Sequence, residues 1–356
     1  MTSQTVPTRV GVWPGGKRDG TSFVDLFANG LRAAGAEVID VQEPARIEKN
    51  SIDVFHIHWP EQVFWAGGGK LRIGWRILKT LYRLRRLKKS GVQIVWMVHN
   101  LEPHDMPWMR RVVWWFYGRQ LGAIATGFMT LSPATIEVVR HNLPALRKKP
   151  GRSAWMPAYP HVEAKPSRSQ VRSQLGITDQ THLFAFVGLL RPYKGVETLI
   201  DAIRELPYGD VELLIAGAPV DEAYAQALTD NVAGDPRIHM VFRHLSEEEF
   251  AGYQAAADVV VLPFRRYLHS ASMLHAVCNH KPVVTPDTPF ARALSQEVGA
   301  DWVQIYEEDS LHLSMLRACL PPTLSPRLDA LSPDALGRDT MSFYRDLLSE
   351  RELSSV

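Results

Sequence analysis

Apolar runs of strand length alternate with stretches of helical spacing along the first part of the chain. TRVGVW (Thr8–Trp13), AEVIDV, DVFHIHW, GVQIVWMVHN (Gly91–Asn100) and FMTLS (Phe128–Ser132) are the strand candidates. SFVDLFANGLRAAG (Ser22–Gly35) repeats its apolar residues at helical intervals, and Gly35 reads as its C-terminal cap. GVQIVWMVHN is apolar enough to be covered on both faces, as parallel strands are. Pro150–Arg172 breaks the rhythm with four prolines and many polar residues, and reads as a linker. A second series follows, with HLFAFVG, VELLIAG, IHMVF, DVVVLPF, KPVVTP and DWVQIY as strands. Ser246–Glu249 has the S-x-x-E form of a capping box at the start of a helix. The pattern predicts an α/β protein of two doubly wound, Rossmann-like parallel-sheet domains facing a cleft, where ligands of such sheets bind. The domains are placed at residues 1–160 and 161–335, with a last helical segment over 336–356.

Composition adds limits. A length of 356 residues suits two domains, and 46% hydrophobic with 22% charged residues suits an ordinary globular protein. The two cysteines, Cys278 and Cys319, lie in apolar surroundings, so a disulfide framework is not expected and a reducing cytoplasm is. Met1–Arg9 is polar and does not read as a secretory leader, and no run approaches the roughly 18 apolar residues of a spanning helix. The net charge of +2 hides an imbalance. Gln62–Ile136 holds twelve Lys/Arg against Glu102 and Asp105. Something anionic is expected against that segment.

Chemistry concentrates at the ends of predicted strands. FAFVGLLRPYKG ends a buried run in Arg191 and Lys194, just before a helix whose free N–H groups would attract an anion. The loop suits a diphosphate; a solvated loop with idle cations is the other reading. DVVVLPFRRYLHSASMLHAVCNHKPVVTP (Asp258–Pro286) is a second strand–loop–helix unit, with Arg265, Arg266, His269, Ser270 and Ser272 in the loop. In the first half, DVFHIHWPE ends with His56, His58 and Glu61. VHNLEPHD ends with His99, Asn100, Glu102, His104 and Asp105. A base that removes a hydroxyl proton would come from these residues: Asp105 first, then Glu61, with Glu102 and His99 behind. Capping and orienting roles are the alternative for each. H-x-H on a strand also sets two rings on one face, as a metal site needs, but no compact metal-hydrolase signature accompanies it.

The second half resembles the donor domain of GT-B glycosyltransferases, the fold of many bacterial polysaccharide-assembly enzymes of the broad group-1, GT4-like kind. VGLLRPYKGVETLIDAI is similar to their G-x-L-x-x-x-K-G segment. IAGAP, the turn around Arg243-His244 and AADVVVLPF follow in the same order. The resemblance covers about Leu183–Asp287. It implies a GT-B fold, with donor contacts from Arg191, Lys194, Arg243, Arg265, Ser270 and Ser272. It also implies a last helix that crosses back to the first domain. Retaining members carry two glutamates separated by seven residues; Tyr267 and His275 stand at those positions here. The ribose contact then falls to His275 or its neighbours, and inversion is favoured over retention. H-x-H-W-P-E and H-N-x-x-P-H-D are also similar to those transferases. The glycine-rich loop WPGGKRDG, with Gly16, is expected near donor and acceptor; it lacks the G-x-G-x-x-G of dinucleotide folds.

KLRIGWRILKTLYRLRRLKKSG (Lys70–Gly91) holds nine cations and no acid, with aromatic and aliphatic residues between them. Together with PWMRRVVWWFYGRQLG it reads as an interfacial surface, with Arg76, Arg83, Arg86, Trp114 and Trp115 meeting an anionic membrane or a lipid-linked acceptor. An ordinary core with a solvated basic face is the competing reading, and no nucleic-acid recognition fold accompanies the run. The expected activity is transfer of a hexosyl or hexuronosyl residue from a nucleotide diphosphate sugar to a lipid-linked oligosaccharide in exopolysaccharide synthesis. UDP-glucuronate is the first choice of donor on account of Arg265 and Arg266, followed by GDP-mannose and UDP-glucose. The expected place is the inner face of the cytoplasmic membrane, bound peripherally, with no metal or other cofactor. A nucleotide-sugar epimerase or phosphorylase and a non-catalytic nucleotide-sugar binder are the alternatives.

Overall fold

The computed structural model describes residues 7–16, 22–44, 47, 51–65, 69–102, 108–206, 209–264, 266–307 and 310–354. They form two compact units, Met1–Pro157 with Asp329–Val356, and Ala158–Leu328.

The first unit contains β1 (Arg9–Trp13), α1 (Phe23–Ala33), β2 (Glu37–Asp40), β3 (Val54–Ile57), α2 (Lys70–Lys89), β4 (Gln93–Met97), α3 (Trp108–Ile124), β5 (Gly127–Thr130), α4 (Ile136–Asn142) and β6 (Gly151–Ser153). Its six strands are all parallel, in the order β2-β1-β3-β4-β5-β6. Every residue of β3 and β4 is buried, which is why those segments read as near-continuous apolar runs. The chain order reverses between β1 and β3, so the carboxyl ends of those strands form the switch-point crevice where such sheets bind ligands.

The second unit contains α5 (Arg168–Leu175), β7 (His182–Val187), α6 (Val196–Glu205), β8 (Val211–Ala216), α7 (Glu222–Val232), β9 (Ile238–Val241), α8 (Glu247–Ala256), β10 (Val259–Val261), α9 (Ala271–Cys278), β11 (Val283–Pro286), α10 (Pro289–Val298), β12 (Val303–Tyr306) and α11 (Leu311–Ala318). The order β12-β11-β10-β7-β8-β9, again all parallel, puts its switch point between β7 and β10. At the opposite, amino ends of these strands, Arg172 is 1% exposed. It donates to the carbonyls of Ala256, Thr178 and Thr181 and to Asp258, which also accepts from the Leu183 amide at 2.8 Å. Through its two terminal nitrogens that cation pins α5 to the sheet.

The chain then returns to the first unit as α12 (Pro333–Ser354). Gly30 of α1 and Gly337 of α12 set the spacing. A Cβ on Gly337 would stand 2.0 Å from the Gly30 carbonyl oxygen, and a Cβ on Gly30 would stand 2.2 Å from that of Pro333. The two backbones therefore touch, and α12 brings Tyr344 into the core beneath β3.

Helix α2 sorts its side chains into three stripes, as its spacing dictates. Ile73, Ile77, Thr80, Leu81, Leu84 and Leu87 face the core. Leu71, Trp75, Leu78 and Tyr82 point away from it, at 91%, 68%, 61% and 57% exposure. Arg72, Arg76, Lys79 and Arg83 form a row between those two stripes, each one residue on from the outward apolar set, and Arg86 continues it.

Candidate active site

In the first unit the crevice is built from the residues that follow β1, β3 and β4. The strand β3 delivers His56 inward, where its Nδ1 lies 2.6 Å from the Tyr344 hydroxyl of α12. Two residues later the Nδ1 of His58 lies 2.9 Å from the Nε2 of His99, which follows β4. Both His56 and His58 are fully buried. Burial disfavours their cationic forms, holding His56 well below the usual imidazole range and His58 down to about 3. Phe23 packs edge-on against His58, His99 and Trp59, and the indole of Trp59 stacks on His99 with centroids 4.2 Å apart. Trp59 has φ 37° and ψ 60°, a left-handed conformation that a bulky residue adopts only under constraint.

That constraint aims the next turn. Pro60–Phe64 is a short 3-10 helix, and Glu61 in it is half-buried with its carboxylate hydrogen-bonded to Asn100, after β4. Burial raises Glu61 to about 7; its backbone hydrogen bond and Asn100 pull the other way but do not prevail. Burial drives the ionisation of Tyr117 of α3 up out of reach, and the nearby Glu61 charge adds to it. A carboxyl group poised near neutrality at a switch point fits a general base.

The other first-unit candidates fall as follows. Asp105 and His104 lie outside the described residues. His99 is buried and engaged with His58 and Trp59, so it orients its neighbours. Glu102 is exposed and ion-paired with Arg111. Gly16 sits against the start of α1, where a Cβ would meet the Asp25 carboxylate at 1.9 Å, so the first loop runs close to that helix end. Trp114 and Trp115 part company. Trp114 is 4% exposed, packed against Phe64, Trp96 and Tyr117, with its Nε1 donating to the Leu101 carbonyl at 3.3 Å. Trp115 is 64% exposed. Trp114 is thus corrected from interfacial to core: it shares the α3 face of Tyr117 and Leu121, one helical turn and two turns on.

In the second unit, the ammonium of Lys194 occupies the β7/β10 switch point. It lies 5.7 Å from the ring centroid of Phe186 on β7 and 5.4 Å from that of Phe264, just past β10. The loop that carries it is shaped by glycines on neighbouring strand ends. Gly188 has φ 138° and Gly217 has φ 148°, and a Cβ on Gly217 would come within 2.0 Å of the Gly188 carbonyl oxygen. Arg191 is half-buried and donates to the Leu190 carbonyl at 2.8 Å. Across the crevice, Ser270 is 4% exposed and caps α9 by accepting from the Met273 amide at 3.3 Å, while Ser272 sits in the first turn of that helix. Lys194, the loop of Arg191 and the start of α9 together give a cationic, donor-rich setting for a diphosphate.

Three donor candidates are held by the protein itself. The Tyr267 hydroxyl bonds to Thr288 Oγ1 at 2.7 Å, and its ring packs between Phe264 and Phe290. His275 lies with Nδ1 2.6 Å from the Gln254 side-chain oxygen and its ring edge-on to Phe250; burial lowers it from the ordinary imidazole value. Arg243 grips Glu249 with both terminal nitrogens, at 2.9 and 2.7 Å, which drives that carboxyl down to about 2. Arg265 lies outside the described residues.

The comparisons with known proteins agree with this architecture. Residues 181–314 match the family model of group 1 glycosyl transferases. Over 256 residues the chain is 27% identical to the GDP-mannose:glycolipid 4-beta-D-mannosyltransferase of Xanthomonas campestris pv. campestris, spanning 72% of this chain and 67% of that protein. In fold it is similar to HepE from Anabaena, solved in complex with UDP, with a TM-score of 0.59 and 14% identity over 99% of this chain and 100% of that one. It is also similar to a glycosyltransferase from Rickettsia africae, with a TM-score of 0.63 and 9% identity over 96% and 98% of the two chains. Two six-stranded parallel sheets of this topology give the chain the GT-B fold. The chain is a glycosyltransferase of the hexosyltransferase class, and residues 181–314 are its group 1 glycosyl transferase domain.

Proposed function

We propose that the protein transfers a mannosyl residue from GDP-mannose to a glycolipid held at a membrane surface, with inversion at C1. The observation that carries the mechanism is Glu61, a half-buried carboxyl raised to about 7 at the carboxyl end of β3. Near neutral pH a large share of Glu61 is ionised and can accept the proton of the acceptor hydroxyl. The acceptor oxygen bonds to C1 as the bond from C1 to the diphosphate oxygen breaks. The nucleoside diphosphate leaves with the electron pair. Lys194, Arg191 and the first-turn amides of α9 neutralise its charge, a task that requires no metal or other cofactor.

The donor is chosen on similarity. The Xanthomonas relative uses GDP-mannose on a glycolipid and makes a β-mannoside, as its name states. One in-line displacement on an α-linked nucleotide sugar yields a β product, consistent with the absence of glutamates at Tyr267 and His275. The case for UDP-glucuronate rests on Arg265 and Arg266; the first lies outside the described residues and the second is exposed. The membrane is supported by the outward stripe Leu71, Trp75, Leu78 and Tyr82 beside a row of cations, which suits the headgroup region of an anionic leaflet. Among the described residues no helix is long and apolar enough to cross a bilayer, so the attachment proposed is peripheral, on the inner face of the cytoplasmic membrane and in the service of exopolysaccharide assembly.

The test supplies radiolabelled GDP-mannose, UDP-glucuronate or UDP-glucose to the protein with total bacterial membrane lipids and counts label entering the organic phase. Label from GDP-mannose alone, lost in Glu61→Gln, is the expected result. Label from a UDP-sugar instead overturns the choice of donor, and no label from any of the three overturns the glycolipid reading.

A further inference from the structure

The amino end of β4 lies at the end of the first sheet away from Glu61 and the histidine cluster. It opens on a cavity of about 560 Å3, within the roughly 300–1,000 Å3 of small-molecule sites. Its walls include Lys88 and Lys89 at the end of α2, Gln93 of β4, and Leu347, Glu350 and Arg351 of α12. Three cations thus face one space, with Glu350 as the acid among these residues. The nearby Asp53 does not offset them, because both of its carboxylate oxygens are taken by Arg9.

The local backbone is shaped to bring these groups together. Gly91 has φ 91°, and a Cβ there would stand 2.2 Å from Nη2 of Arg351. A glycine at this turn is what lets α12 lay its guanidinium over the end of α2. Arg351 Nη1 donates to the Gly91 carbonyl at 2.7 Å, and Lys88 Nζ to the Ile124 carbonyl at 2.6 Å, so both side chains are fixed in place. Lys89 is exposed and has no partner among the described residues. Burial, and then repulsion from Lys149, hold Lys88 below the ordinary lysine value, so the surroundings are more cationic than the walls alone.

The dipole of α2 accounts for cations at its last turn. It does not account for Gln93. The rest of β4 is Ile94, Val95, Trp96 and Met97, yet this position carries an amide that is 5% exposed. Its side chain makes no hydrogen bond among the described residues, and its Oε1 is enclosed. An unpaired buried polar group costs about 1–3 kcal/mol, which a ligand that bonds to it would recover.

We propose that this cavity binds a small phosphorylated sugar, with the phosphate at the cationic rim of Lys88, Lys89 and Arg351 and a hydroxyl-bearing body against Gln93 and Leu347. The depth of each group gives the orientation: Lys89 and Arg351 are exposed, whereas Gln93 and Leu347 are 5% and 2% exposed. Inorganic phosphate would meet the rim and leave the buried amide unpaired, while a hydroxylated phosphate ester meets both. The site is separate from the transfer chemistry. Its occupant would join α12 to α2 and β4 two helical turns beyond Tyr344, the residue through which α12 meets His56.

The test titrates the full chain with glucose 6-phosphate, glycerol 3-phosphate and inorganic phosphate in a calorimeter. Glucose 6-phosphate is expected to bind about three- to tenfold more tightly than inorganic phosphate, the worth of one added hydrogen bond. Gln93→Met is expected to erase that preference while keeping phosphate affinity. Lys89→Glu, at an exposed position that cannot disturb the core, is expected to weaken all three ligands about tenfold. Lys194→Met, in the second unit, is expected to leave the three affinities as they are. A preference for glycerol 3-phosphate over the hexose ester overturns the choice of a sugar. Equal affinity for glucose 6-phosphate and inorganic phosphate, or affinities that survive Lys89→Glu and fall in Lys194→Met, overturns the site.

Discussion

The imidazoles of His58 and His99 meet nitrogen to nitrogen at 2.9 Å, in a pocket closed by Phe23 and Trp59. Two neutral rings can share one proton in that contact; two cations cannot. The tautomers follow from the hydrogen bond each ring makes. Burial depresses both His56 and His58, so the unfolded chain binds more protons than the folded one below the ordinary imidazole range. Their contribution to stability is complete above about pH 6.5 and drains away as the pH falls toward 3. Urea unfolding at pH 7.5 and pH 5 should show a marked loss of stability at the lower value. His58→Asn should cost about 1 kcal/mol at pH 7.5 through the lost ring contact and narrow the gap between the two pH values. An unchanged gap would mean that the histidines are not the groups being protonated.

Glu61 makes the opposite linkage. Its folded-state value of about 7 lies above the ordinary carboxyl value of 4.5, so the folded protein holds the extra proton between those limits and loses stability as the pH rises through them. Glu61→Gln should therefore raise stability at pH 8, by a gain of order 1–2 kcal/mol, with the gain fading as the pH falls from about 7 to 4.5 and absent below that. The same change should lower kcat by about 10²- to 10⁴-fold, and wild-type kcat/KM should climb through a pKa near 7. A variant both more stable and inactive is the signature sought in paired melting and turnover assays.

Lys194 offers a cleaner separation of binding from folding. Its ammonium rests between the rings of Phe186 and Phe264, and Lys194→Met keeps the aliphatic stem there without the charge. Nucleoside diphosphate affinity, read by thermal shift, should fall about 10- to 100-fold, the range of a charge-assisted hydrogen bond. Arg243→Ala should leave that affinity alone and instead shorten the melting curve of the apo-protein slightly, because Arg243 serves Glu249 and the start of α8.

The strands and most helices could be read from the chain because Val, Ile and Phe runs and helical spacing are local signals. The place of Lys194 and Arg191 could be read too, since a cationic loop between a buried strand and a helix is itself a local pattern. What escaped depends on strand order. Asn100 becomes the partner of Glu61 only once β3 and β4 are neighbours, and Tyr344 reaches His56 only because α12 packs on α1. Phe186 and Phe264 likewise converge on Lys194 only because β7 and β10 are adjacent. Tyr267 and His275 were placed by motif position, but the hydroxyl turns in to Thr288 and the ring to Gln254. Lys79 was legible as part of a basic helical face, three residues after Arg76 and four before Arg83, but the cavity that these three line is closed by Trp13, Gln42 and Val63, which are distant in sequence.

Trp114 and Trp115 give the sharpest test of the membrane surface, because neighbouring residues on a helix point about 100° apart. Trp114 fills the core against Phe64, Trp96 and Tyr117, and Trp114→Ala should cost about 3–5 kcal/mol of unfolding free energy. Trp115 stands outside with Phe116, beneath the Arg119 guanidinium at 5.8 Å. Trp115→Ala should leave unfolding within about 0.5 kcal/mol of wild type. If α3 lies at the headgroup level alongside the α2 stripe, the same substitution should weaken binding to anionic vesicles severalfold, and Trp75→Ala on α2 should act in the same direction. Denaturation and vesicle sedimentation on the three variants decide the matter: vesicle binding that survives in both Trp115→Ala and Trp75→Ala would leave the outward stripe without its proposed role, whatever Trp114→Ala does to the fold.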